Sequence, residues 1–104
     1  MFSIFKNNTK QFIEDKQLSV FSYHTATWKY DKIKSGHKVS NKEIKFIVER
    51  YLKILKEKKI ISKFNNYDFE KLLWFTNNMN KEQIIGNLNN QKYSYKDFEK
   101  NLNI

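Results

Sequence analysis

In SNKEIKFIVERYLK, residues 40–53, the cations Lys42, Lys45, Arg50 and Lys53 recur at helical intervals, with Asn41 ahead of them and Phe46 among them. A surface that binds nucleic acid needs cations for phosphate oxygens and short polar or apolar groups for base edges. Lys42, Lys45, Arg50 and Lys53 suit the first task. Asn41, at the start of a helix, suits the second, because its amide can meet an adenine edge in a bidentate manner. Phe46 is the unusual member. At about 100° per residue it falls roughly 160° from the centre of the apolar arc, where a solvated face normally carries no aromatic. Three roles stay open for it: packing on another helix, touching a thymine methyl, or meeting a second protein copy.

The element that positions these groups is the clearest in the chain. Ser40 followed by Glu43 is a capping box, in which the serine oxygen accepts from the Glu43 N–H and the carboxylate accepts from the serine amide. From there Ile44, Ile47, Val48, Tyr51, Leu52, Ile54 and Leu55 share one arc, and Lys42, Lys45, Glu49, Arg50, Lys53, Lys56 and Glu57 lie opposite. The pattern predicts an amphipathic helix of about four to five turns. Lys56, Lys58 and Lys59 at its end have two readings: cations opposing the C-terminal dipole, or further phosphate contacts.

The totals agree with a binding role. The 104 residues carry 20 basic and 11 acidic side chains, net +9, a balance that attracts polyanions. A bias toward Lys, Asn and Ile, as in AT-rich coding, explains lysine in place of arginine but would enrich glutamate too, so it does not account for the surplus. With no cysteine there is neither a disulfide framework nor a thiolate metal site. His24 and His37 read as structural or solvated, and no phosphate-cradling glycine loop, paired-carboxylate signature or nucleophile motif is present. The opening MFSIFKNN lacks the pattern of a leader, and no segment approaches the roughly 18 apolar residues of a membrane span. The expectation is a cytoplasmic non-enzyme with no cofactor, no metal, no small-molecule substrate and no membrane partner.

Elsewhere the chain reads as short capped helices. Thr9 is placed to cap a helix over Lys10 to Leu18, with Phe12 and Ile13 facing inward. SVFSYHTATWKY fits a strand, or from Thr25 a helix with Trp28 and Ile33 on one side that ends at Ser35-Gly36. IISKF fits a short strand and Asn65-Asn66 a tight hairpin turn. Residues 67–75 then form a return strand or, the preferred reading, a helix capped by Asp68. Asn80 is placed to cap a helix over Lys81 to Leu88, and Ser94 with Asp97 to cap another. Trp28 and Trp74 are expected in the core, and Asn77-Asn78 and Asn89-Asn90 in loops and caps.

The segment TWKYDKIKSGHKVSNKEIKFIVERYLKILKEKKIIS resembles the winged helix-turn-helix family: a helix, a glycine-containing turn, a serine-capped recognition helix, and a leucine-rich helix end running into Ile-Ile. Leu52, Leu55, Ile60 and Ile61 stand where that family has its closing Leu-x-x-Leu and Leu-Ile pairs, and Lys59 stands where it usually has glycine. The resemblance spans about residues 25–68. It implies an α+β, predominantly helical fold, a small winged helix-turn-helix-like domain with a short β-hairpin. The single domain over 1–104 would then carry this segment and, over 69–104, short C-terminal helices. It also implies double-stranded DNA as partner. Lys38, Asn41, Lys42, Lys45, Phe46, Arg50 and Lys53 would lie in or beside the groove, and the wing around Lys63, Asn65 and Asn66 on the neighbouring backbone or minor groove. A transcriptional regulator, or an accessory factor of plasmid or phage replication or conjugative transfer, is the expectation, acting as a dimer or in tandem. The rival is a protein-binding module, such as a phage- or plasmid-encoded inhibitor or a bacteriocin-immunity-like helical bundle.

Overall fold

The computed structural model describes residues 10–88 and Lys100. Four helices follow in order: α1 (Asp15–Lys34), α2 (Asn41–Glu57), α3 (Asn66–Asn78) and α4 (Lys81–Leu88). Among the described residues there is no strand, so the α+β fold with a β-hairpin wing is corrected to an all-helical one.

The strand alternative for SVFSYHTATWKY fails because its hydroxyls find partners inside the helix. Ser22 Oγ donates to the Ser19 carbonyl at 2.6 Å, Thr25 Oγ1 to the Ser22 carbonyl at 3.2 Å and Thr27 Oγ1 to the Tyr23 carbonyl at 2.6 Å. These i−3 and i−4 bonds remove the cost of burying Ser22, Thr25 and Thr27. Such small side chains also allow α3 to approach closely: the Thr25 and Thr76 hydroxyls meet at 2.6 Å, and Thr76 Oγ1 donates to the Leu72 carbonyl at 2.8 Å. α1 runs unbroken to Ser35 and ends in a Schellman motif. There Gly36, at φ 90°, donates to Ile33 and His37 to Lys32.

The expected helix over Lys10 to Leu18 is displaced to begin at Asp15. Thr9 lies outside the described residues. The N–H groups of Phe12 and Ile13 are taken by the buried Asp68 carboxylate, at 3.0 and 2.9 Å on Oδ1, so the backbone there is held in a bend against the start of α3. Ile13 enters the core, but Phe12 is exposed, contrary to its expected inward position. Ile33 is likewise exposed.

α2 begins with the anticipated capping box, with both the Ser40–Glu43 bonds in place, and buries the anticipated apolar arc. It ends on Lys59 at φ 61°. Ile60 N–H donates to Leu55 and Lys59 N–H to Lys56, a complete Schellman motif on a lysine. This sharp exit is one reason that IISKF is no strand. The other is the missing partner, because the return arm is α3. Asn65 is no hairpin residue: at φ −129° it caps α3, its Oδ1 accepting from Asp68 N–H at 3.0 Å while Asp68 Oδ2 accepts from Asn65 N–H at 2.9 Å. The N-cap is therefore Asn65 and not Asp68, which occupies the third helical position of the box.

One core gathers Leu18 and Phe21 of α1, Ile44, Val48, Tyr51, Leu52 and Leu55 of α2 and Leu72 of α3, closed by Ile13 and Ile61. A second, smaller one packs Ile84 of α4 and Met79 on Ala26, beside Tyr23 and Tyr30. Asn80 and Gln83 exchange the expected capping bonds at the start of α4. The helix expected from Ser94 and Asp97, and Asn89-Asn90, lie outside the described residues.

Candidate nucleic-acid interface

Burying Ile44, Ile47, Val48, Tyr51, Leu52, Ile54 and Leu55 fixes the rotation of α2 and turns its other side to solvent. Lys42, Phe46, Arg50 and Lys53 fall within about 80° of one another on that side, with Phe46 one turn from both Lys42 and Arg50. The lysines are exposed and Arg50 is partly covered. Phe46 is 64% exposed, which removes packing on another described helix from its three roles.

Other expected site residues separate from this stripe. Asn41 and Lys45 are exposed on α2 but lie about 140° and 100° around the helix from Phe46. Lys38 is exposed in the turn before α2. Lys63 and Asn65 lie in the connection beyond the far end of α2, and Asn66 opens α3, so none of them is on a wing. Lys63 Nζ sits 4.3 Å from the centre of the Phe12 ring, a cation–π contact. Asn65 is committed twice over, as cap of α3 and through its amide to the Lys10 carbonyl, and so is a structural residue. Asn66 is exposed as the first residue of α3.

Charge is distributed unevenly, a signal present in the sequence but not in the spacing of motifs. Residues 29–63 contain twelve basic and four acidic side chains, a net of +8 out of the +9 of the whole chain. The ion pair found among the described residues, Lys71 to Asp15 at 3.6 Å, lies outside that segment. The cations at the end of α1 (Lys32, Lys34), in the turn (Lys38) and on α2 thus make no direct ion pair with a described carboxylate, although Glu43, Glu49 and Glu57 share α2 with them. They collect at both ends of α2: Lys38 and Lys42 at one, Lys56, Lys58, Lys59 and Lys63 at the other, all exposed. The helix between spans about 25 Å.

Of the remaining polar groups, His24 is buried and its Nδ1 lies 2.6 Å from the Tyr51 hydroxyl, with the rings edge to face. His37 is exposed in the turn before α2. Among the described residues no group of three or more His, Asp or Glu side chains could hold a metal ion, and no helix is long and apolar enough to cross a membrane. Trp28 packs at the edge of the main core, but Trp74 is corrected from core to surface. It is 57% exposed, set edge-on to Phe75, and lines a shallow groove of about 580 Å³ on α3 with Tyr67, Leu73 and Asn77. Asn77 and Asn78 lie in the last turn of α3, where Asn77 accepts from Lys29 Nζ and Asn78 donates to the Trp74 carbonyl.

Comparison with family models, with curated proteins and with solved structures yields no match for this chain.

Proposed function

We infer that this chain is a nucleic-acid-binding protein that engages double-stranded DNA through the exposed side of α2 and the cations at its two ends. The observation that carries this reading is the concentration of +8 in residues 29–63, around an exposed helix face whose cations have no described ion-pair partner. Opposing a phosphate backbone would release its counterions and give the surplus a thermodynamic use. No wing is required: two helices and their turn suffice to lay one helix in a major groove. A regulator, or a replication or transfer accessory factor, is the role that fits. A dimer or tandem array would supply the surface that selective binding needs, and an intracellular site would supply the DNA.

Fluorescence anisotropy with a labelled A·T-rich duplex, single-stranded DNA and RNA, from low to high salt, tests this. Duplex preference and a steep salt dependence are expected. Lys42→Ala with Lys53→Ala should lower the magnitude of the log–log salt slope by about two, as two phosphate contacts are lost, with an unchanged circular dichroism melt. Binding that is weak, alike for all three ligands and gone near physiological salt would overturn the reading.

The second reading, a protein-binding helical module, is favoured by two observations: the all-helical architecture and the exposed Trp74 beside its groove. Those features suit an inhibitor- or immunity-like bundle. They leave the uneven charge without a role.

A further inference from the structure

We propose that Phe46 is a specificity-determining residue that contacts the 5-methyl groups of thymine in a duplex major groove, making A·T-rich DNA the preferred ligand. The inference rests on the nucleic-acid reading above and names what that surface selects.

The argument starts from what a phenyl ring can do at this position. It has neither donor nor acceptor, so it reads no polar edge. At 64% exposure it contributes little to the fold. Its neighbours one turn away on α2 are Lys42 and Arg50 four residues off and Glu43 and Glu49 three residues off, with Lys53 nearby, and Glu43 is held in the capping box by Ser40. Because the segment around it, residues 29–63, carries a net +8, the partner that fits over the ring presents an apolar group set within negative charge. In duplex DNA the thymine methyl is that group: it projects into the major groove between phosphate backbones, at a depth that helix-borne side chains reach. RNA lacks the methyl, and its deep, narrow major groove excludes a helix. A G·C pair offers only donors and acceptors there.

The test compares two duplexes of one A·T-rich sequence, one with thymine and one with every thymine replaced by deoxyuridine, which removes the methyl and keeps the pairing. Wild-type protein is expected to bind the thymine duplex about four- to fifteen-fold more tightly, the range for one or two methyls taken out of water. Phe46→Ala should bind both duplexes equally, near the wild-type level on the deoxyuridine duplex, with an unaltered circular dichroism melt. Equal wild-type affinities with a steep salt dependence would overturn the methyl contact and leave duplex binding standing. Tighter binding to single-stranded DNA, lost in Phe46→Ala, would replace it with base stacking. No duplex binding, together with a change in sedimentation on Phe46→Ala, would overturn both readings and make Phe46 a protein contact.

Discussion

Asp68 carries more of the fold than any motif in the sequence suggests. Its buried carboxylate accepts from three backbone N–H groups, those of Phe12, Ile13 and Asn65, tying the N-terminal approach to the start of α3. Removing it strands the buried Ile13 donor and leaves those of Phe12 and Asn65, which are partly buried, to compete for water. Asp68→Ala is therefore expected to destabilise the protein by about 3 kcal/mol, measured by urea unfolding. Asp68→Asn, which keeps one acceptor oxygen, should lose less. Hydrogen exchange gives the residue-level signature: the amides of Phe12 and Ile13 should lose protection in Asp68→Ala before those in the middle of α2 do. Phe46 and Trp74 make the complementary point about what a sequence conceals. Phe46 was conspicuous because helical periodicity placed it among lysines. Trp74 was not, because it lies beside Leu72, Leu73 and Phe75 in a run apolar on every side, where periodicity names no outward face.

Among the elements, α2 was legible because each of its signals is local: a Ser-x-x-Glu box, an apolar arc and an opposite charged arc, all within 17 residues. α1 was not, because the face it buries includes Ser22, His24, Thr25 and Thr27, whose polarity hides the stripe. Their burial becomes intelligible only with the partners in view, the carbonyls one turn back, Thr76 and Tyr51. The expected wing is absent among the described residues for a related reason. Ile-Ile after a leucine-rich helix is compatible with a strand, and what decides against it is the Asn65 cap four residues later. Lys59 permits a direct test of how α2 ends. A lysine in the left-handed region is disfavoured where glycine is not, so Lys59→Gly is expected to raise stability by roughly 0.5–1 kcal/mol, a shift of a few degrees in Tm. At the opposite end Ser40→Ala should lower it by about 1 kcal/mol through loss of the cap. A Lys59→Gly variant that melts below wild type would show that the lysine side chain makes a compensating contact.

On the scale of the whole molecule, the question is whether the cations at the two ends of α2 act together. Lys32, Lys34 and Lys38 lie before the helix and Lys56, Lys58 and Lys59 at and beyond its end, separated by roughly the 25 Å length of a 17-residue helix. That span exceeds the roughly 12 Å width of a B-DNA major groove, so a helix lying in the groove would bring each end near a different phosphate backbone. The ordinary explanation for the second group is local, since cations at a helix C-terminus oppose its dipole and add a few tenths of a kcal/mol. The two accounts predict opposite results for replacing Lys56, Lys58 and Lys59 together by glutamine. If they serve only the dipole, the melt falls slightly and the salt slope of duplex binding stays as it was. If both ends clamp the duplex, the slope should fall in magnitude by about two to three, since each lost phosphate contact removes roughly 0.9. The matching replacement of Lys32, Lys34 and Lys38 should then reduce it by a similar amount, and the two sets together should nearly abolish binding at physiological salt. An effect confined to one set would mean that a single strand is contacted, and that α2 lies along the DNA backbone instead of across its groove.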